Sequence, residues 1–172
     1  MTTARLLDAG DPFPRLELAL TGGGQLTLPG GIATPYAAVL VNRGSWCAFC
    51  NAQLRAFQSG LARLAQAGIG VFSLSADPLE RAAAMVAANG LTFPVAYGVS
   101  VEEVAQRLGA YYDPRPDFTA PYLQSAGFVL GPGGVVLTAV YSSGAIGRLV
   151  WQDVLGFVEY HRAHSPARGT AA

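Results

Sequence analysis

Arg43-Gly44-Ser45-Trp46-Cys47-Ala48-Phe49-Cys50 contains both cysteines of the 172-residue chain. It follows the apolar run Tyr36 to Val41, which reads as a buried strand, and it opens a segment in which Cys50, Leu54, Phe57, Leu61 and Leu64 recur at helical spacing. A strand, a short loop and a Cys-x-x-Cys at a helix start is an arrangement used for redox chemistry. The reason is electrostatic. The first turn of a helix leaves backbone N–H groups unpaired and carries the positive end of the macrodipole, so a thiolate is favoured there over a thiol. Such thiols titrate well below the usual value of about 8.5, in roughly the 3.5 to 7.5 range, which makes them nucleophilic near neutral pH. The spacing predicts Cys47 at an exposed helix start and Cys50 one turn inside, within disulfide reach of each other.

Other readings of the same residues are open at this level. Two cysteines could be packed free thiols or half of a zinc site, but zinc needs four ligands and the only histidines, His161 and His164, fall in the last helix and tail. Trp46 reads in part as a packing residue that would also restrict water at the thiols. Arg43 fits a solvated loop charge as well as a cation that stabilises the thiolate by its opposite charge. Asp77, before Pro78, reads as a helix cap. Arg148 and Tyr141 read as structural, one at a helix start and the other at a strand end.

Outward from the motif, Arg15 to Leu20 alternates Leu16, Leu18 and Leu20 with Arg15, Glu17 and Ala19, the period of a half-buried strand. Thr21-Gly-Gly-Gly24 turns it into a second strand, Gln25 to Leu28, so a β-hairpin extension precedes the central strand. Beyond the motif helix, Ile69 to Leu74 reads as a strand, and a helix runs from Asp77-Pro78 to about Ala88. Phe93 to Tyr97 reads as a short edge strand, because Pro94 would interrupt the ladder of a central one. Ser100 and Glu103 stand at capping-box spacing before a helix to Leu108, and the prolines of Tyr111 to Pro121 predict an irregular loop. Ala126 to Leu130 and Val135 to Val140 flank Gly131-Pro-Gly-Gly134 as a hairpin, and a helix spans Arg148 to about Ala163. The order predicts an α/β fold, a mixed central β-sheet flanked by helices, in a single domain of residues 1–164 with a disordered tail over 165–172. The motif then lies at the carboxyl end of a central strand, where open α/β sheets place their sites.

Composition narrows the function. The 11 basic residues, all arginine, balance 11 acidic ones, so no overall field recruits nucleic acid or an anionic membrane. Charged residues make up 13% of the chain, about half the usual share, which predicts a surface rich in small and uncharged polar residues. No apolar run approaches the roughly 20 residues that span a bilayer, and Asp8 and Asp11 fall where a signal peptide would be apolar. A cytoplasmic location is therefore expected, where a cysteine pair is catalytic more often than a structural staple. Neither a cofactor nor a metal is expected.

Taken together, Arg43 to Leu54, Leu74-Ser75-Ala76-Asp77, Phe93-Pro94-Val95-Ala96-Tyr97-Gly98, Phe128 to Gly134 and Tyr141 to Arg148 resemble, in order, the alkyl hydroperoxide reductase/thiol-specific antioxidant family. This is the peroxiredoxin-like branch of the thioredoxin fold, and the likeness spans roughly residues 10 to 160. It implies a thioredoxin-like fold and a thiol-dependent oxidoreductase that reduces small hydroperoxides or disulfides. It also implies a thiol electron donor such as a thioredoxin or glutathione system, and it admits a homodimer. Two positions depart from the family pattern. Aligned on Cys50, the family's Pro-x-x-x-Thr-x-x-Cys signature has Arg43 for Pro and Cys47 for Thr; aligned on Cys47, it has Leu40 and Gly44. Where thioredoxins hold a cis-proline opposite the cysteines, this chain has Ser125, and a trans Gln124–Ser125 bond is expected.

The expected cycle has Cys47 attack as the thiolate and Cys50 resolve it into an internal disulfide, with Arg43, Trp46 and Ser125 in support. Alignment on Cys50 favours the reverse order. The rival readings are a thioredoxin-like reductase of protein disulfides and a non-enzymatic redox sensor using the same disulfide.

Overall fold

The computed structural model describes residues 5–113 and 121–165. In chain order the elements are β1 (Leu16–Leu20), β2 (Gln25–Leu28), β3 (Tyr36–Val41), α1 (Ala48–Gln66), β4 (Ile69–Leu74), α2 (Leu79–Asn89), β5 (Val95–Tyr97), α3 (Val101–Leu108), β6 (Tyr112–Asp113), β7 (Tyr122–Leu123), β8 (Ala126–Leu130), β9 (Val136–Tyr141) and α4 (Trp151–His164). Seven strands form one mixed sheet in the order β2-β1-β5-β4-β3-β8-β9. β3 pairs parallel to β4 and antiparallel to β8, so it lies in the interior of the sheet, next to the middle strand β4.

All six residues of β3 are buried because both faces of the sheet are covered. Ala37, Val39 and Val41 enter one core with Phe13, Leu16, Leu18, Phe128 and the apolar side of α3. Tyr36, Ala38 and Leu40 enter a second core beneath α1, α2 and α4, with Leu54, Phe57, Met85, Val154 and Val158. The two-residue alternation of a strand sorts these six side chains between the two cores, and burial of each large one stabilises by about 1.5 to 3 kcal/mol. At Gly60 of α1 the backbone comes so close to the Trp151 ring of α4 that a Cβ would collide with it. Glycine is required there for helix approach rather than for conformation.

Several expectations hold. The hairpin β1–β2 extends the sheet at one edge, β8 and β9 form the second hairpin, and Gly90, at φ 60°, ends α2 in the left-handed conformation. Ser100 caps α3 by accepting from the Glu103 N–H at 3.2 Å. Others are corrected. β5 is an interior strand, between β1 and β4, because Pro94 stands just before it and contributes only its carbonyl, which accepts from Ser73 N–H at 3.1 Å. Asp77 is not the cap of α2; Pro78 takes that position, in extended conformation, with no side-chain cap. α4 starts at Trp151, not Arg148, because Val150 is still extended at φ −109° and ψ 136°.

The proline-marked stretch after α3 contributes β6, which pairs with β7 as a small antiparallel ribbon. Residues 114–120 of the expected loop, and the expected disordered tail after Ser165, lie outside the described residues. Among the described residues no helix is long and apolar enough to cross a membrane.

Candidate active site

At the carboxyl end of β3 the chain passes through Asn42 and the loop 43–46 into α1, and this places Cys47 at the N-cap. Its Sγ accepts from the Cys50 backbone N–H at 3.4 Å, the bond an oxygen-bearing cap would make. Both cysteines are free and buried, Cys47 at 3% exposure and Cys50 at 0%. The expected exposed Cys47 is therefore corrected: the helix start is covered by side chains from other elements.

Two guanidinium groups flank the sulfurs. Arg148 Nη2 donates to Cys50 Sγ at 3.1 Å and to Cys47 Sγ at 3.7 Å. Arg43 Nη1 reaches Cys47 Sγ at 3.9 Å, while the Arg43 backbone N–H donates to Cys50 Sγ at 3.3 Å. The consequences for the two thiols are opposite. Burial alone would push Cys47 up, but hydrogen bonds from the Cys50 side chain and N–H, with the charges of Arg148 and Arg43, outweigh it and bring its pKa below the ordinary value. Burial also pushes the Cys50 thiol up, and its donation to the Cys47 sulfur adds to this, so the contacts from Arg148 and the Arg43 N–H do not bring it back. Cys47 is the sulfur prepared to be an anion.

Arg43 is itself held. Its Nη2 donates to the Tyr122 hydroxyl at 3.2 Å, and that hydroxyl donates to Asp113 Oδ2 at 3.2 Å. The guanidinium carbon lies 4.8 Å from the Trp46 ring centroid and 5.1 Å from that of Tyr122. These two rings meet edge to face at 5.0 Å. Trp46 is still 49% exposed, so it forms a rim of the site rather than part of the core. The Nε of Arg43 and of Arg148 are buried without a partner among the described residues, so each of these guanidinium groups keeps one N–H donor unused.

The loop is tethered from both sides. Asp77 Oδ2 accepts from the Ser45 N–H at 2.5 Å, and Asn51 Nδ2 donates to the carbonyls of Ser45 at 2.8 Å and Cys47 at 2.9 Å. Asp77 thus serves the cysteine loop instead of its own helix. Gly44 is needed here, since its φ is +137° and a Cβ would lie 2.6 Å from Trp46 Nε1.

Of the residues singled out in the sequence, Cys47, Cys50, Arg43 and Trp46 converge. Ser125 is buried at 2% exposure, with its Oγ donating to the Val41 carbonyl at 3.3 Å. The one cis bond among the described residues is Leu28–Pro29, so Gln124–Ser125 is trans as expected. Sequence reasoning missed Arg148, Tyr122 and Asp113. The signal for Arg148 is its place after Gly144-Ala-Ile-Gly147, just beyond the edge strand β9, within a stretch that resembles the family. Nothing local pointed to Tyr122 or Asp113, which stand on either side of a proline-rich stretch. No group of three or more His, Cys, Asp or Glu side chains is gathered for a metal among the described residues.

The model of the AhpC/TSA family matches residues 9–139. No curated protein matches the sequence. Among solved structures, peroxidoxin BcpB from Mycobacterium tuberculosis is similar over 93% of this chain and 99% of its own, at 16% identity and a TM-score of 0.74. AhpC from Enterococcus faecalis is similar over 94% of this chain and 98% of its own, at 17% identity and a TM-score of 0.76. Peroxiredoxin Q from Xanthomonas campestris is similar over 96% of this chain and 100% of its own, at 21% identity and a TM-score of 0.65. At these identities the likeness speaks to the fold. The family match takes in the cysteine loop, both thiols and the strands that carry them, and by it the chain belongs to the AhpC/TSA family, a thiol-dependent oxidoreductase on the thioredoxin fold.

Proposed function

We propose that this protein reduces small hydroperoxides and related small oxidants by cycling Cys47 and Cys50 between dithiol and disulfide. The observation that carries the reading is the place of Cys47 at the N-cap of α1, its Sγ accepting from the Cys50 N–H at 3.4 Å and facing Arg148 at 3.7 Å and Arg43 at 3.9 Å, with Cys50 one turn inside. The Cys47 thiolate attacks the terminal oxygen of the hydroperoxide. The S–O bond forms as the O–O bond breaks, and the departing alkoxide takes a proton and leaves as the alcohol. The guanidinium groups of Arg43 and Arg148, each with an unused N–H donor, are available to the oxygens in this step. Cys50 sulfur then attacks the sulfenic acid at Cys47, hydroxide leaves and is protonated to water, and a disulfide remains. An external thiol donor, of the thioredoxin or glutathione type, returns both sulfurs to thiols by exchange.

A thioredoxin-like reductase of protein disulfides fits less well. In that arrangement the loop opposite the cysteines presents its backbone to an extended substrate, whereas Ser125 is buried and bonded to Val41, and its carbonyl already accepts from Ser142 N–H at 2.9 Å. The test is to mix the reduced protein with a hydroperoxide and count thiols before and after. Loss of two thiols per hydroperoxide consumed, without insulin reduction, is the expected result. Efficient insulin reduction with no peroxide consumption would reverse the assignment.

A further inference from the structure

The Arg43 guanidinium has two ends: one amino group lies on Cys47 Sγ at 3.9 Å, the other on the Tyr122 oxygen at 3.2 Å. We infer that Tyr122, oriented by Asp113, is a positioning residue that holds the Arg43 guanidinium against Cys47. A phenol oxygen has one hydrogen and acceptor lone pairs. Donation of that hydrogen to Asp113 Oδ2 at 3.2 Å turns the lone pairs toward Arg43, so the carboxylate acts on the arginine through the phenol. Strand register sets this geometry, because Asp113 of β6 stands directly opposite Tyr122 of β7. The Tyr122 hydroxyl is thus a fixed acceptor on an element separate from the cysteine loop, and Tyr122 is 4% exposed. The Arg43–Cys47 contact is near the outer limit for a hydrogen bond to sulfur, so small drift of a long side chain would break that bond and move the charge away from the thiolate. The Trp46 and Tyr122 rings pack against the guanidinium, and the phenol oxygen holds its outer amino group.

This inference rests on Cys47 being the reactive thiol, and the experiment separates the two. Alkylation by iodoacetamide, a neutral reagent, is followed across pH and mapped to each cysteine by mass spectrometry in wild type, Tyr122→Phe, Arg43→Ala and the double variant. Phenylalanine keeps the ring contact and removes only the oxygen. The expected result is an alkylation rate at Cys47 about two- to threefold slower near neutral pH in Tyr122→Phe, less than in Arg43→Ala, with the midpoint moved upward, and no further loss when the same change is made in Arg43→Ala. An unchanged rate in folded Tyr122→Phe, or an equal fold-loss in both backgrounds, overturns it. Should Tyr122→Phe unfold, Asp113→Asn takes its place, with a smaller loss in the same direction that also vanishes without Arg43. Faster alkylation of Cys50 than of Cys47 in the wild type would overturn the order of attack under the proposed function, whereas dependence of the phenol effect on Arg43 decides the role of Tyr122.

Discussion

The loop 43–47 and the segment 142–150 each bring an arginine to the same two sulfurs, the first from within the cysteine motif and the second from almost a hundred residues away. The loop is short and tied at both edges, by Asp77 at Ser45 and by Asn51 at Ser45 and Cys47. The segment has no regular structure and is folded on itself. Ser142 Oγ donates to the carbonyls of Gly144 and Ile146, Arg148 Nη1 donates to Ala145 O at 2.6 Å, and Gln53 of α1 holds the Leu149 carbonyl at 3.0 Å. The guanidinium from far away makes the closer contacts. Arg148 lies on both sulfurs at 3.1 and 3.7 Å, whereas Arg43 touches only Cys47 with its side chain, at 3.9 Å. Proximity in sequence therefore decides which arginine is noticed, while the tertiary fold decides which one dominates the local field.

The largest effect should come from the sulfurs that the two segments share. Cys47→Ser is expected to abolish peroxide turnover. Cys50→Ser should allow one turnover and then accumulate a sulfenic acid at Cys47, trapped with a dimedone-type reagent and identified by mass. The reverse pattern would mean that the close contact from Arg148 to Cys50, not the helix-cap position of Cys47, selects the nucleophile.

Next in size, Arg148→Ala should slow the reaction of Cys47 with hydroperoxide near neutral pH by about 10-fold or more, and Arg43→Ala by about 3- to 10-fold, since an opposite charge within about 4 to 6 Å shifts a thiol by one unit or more. The sign in pH follows from the cause. Rate rises with the Cys47 thiolate and reaches a plateau above its pKa, which lies below the ordinary cysteine value. Removing either arginine moves the midpoint upward; raising the pH recovers the part of the loss that comes from the thiolate population, and the loss left on the plateau measures the arginine's contact with the peroxide oxygens. Rapid-mixing kinetics across pH would measure this. A larger effect from Arg43 than from Arg148 would break the comparison.

What could be read in advance follows the same division. The alternation in Leu16 to Leu20, the apolar run of β3 and the helical spacing from Cys50 to Leu64 are local patterns, and the structure forms each of those elements. The cysteine loop was legible because motif and helix start coincide within a few residues. In the sequence Arg148 reads as a helix start because Leu149, Val150, Val154, Leu155 and Val158 share helical spacing. Yet Val150 stays extended, with the Leu149 carbonyl engaged by Gln53, so the helix begins only at Trp151. Asp77 before proline is a common cap signal, but its carboxylate is drawn to an N–H more than thirty residues earlier. The link from Tyr122 to Asp113 depends on the pairing of β6 with β7, which two-residue strands do not announce.

The smallest effect expected tests whether the distant segment is as well held as the loop. α1 serves both, Asn51 bonding the loop and Gln53 the segment through the Leu149 carbonyl. Gln53→Met keeps an unbranched side chain of similar length but removes the donor, leaving the Leu149 carbonyl without this bond. Loss of a partner by a buried carbonyl costs about 1 to 3 kcal/mol, so a lower thermal midpoint is expected. Stability alone would not distinguish anchoring from packing. The discriminating measurement is thiol reactivity. If Gln53 matters at the site because it holds the strand of chain before α4, alkylation of Cys47 should slow by about two- to threefold in Gln53→Met through weaker contact with Arg148. The same change in an Arg148→Ala background should then lower stability without touching the thiol rate. A loss of rate that persists without Arg148 would show that Gln53 acts on the cysteine helix itself, and the two segments would no longer be separate supports of one pair of sulfurs.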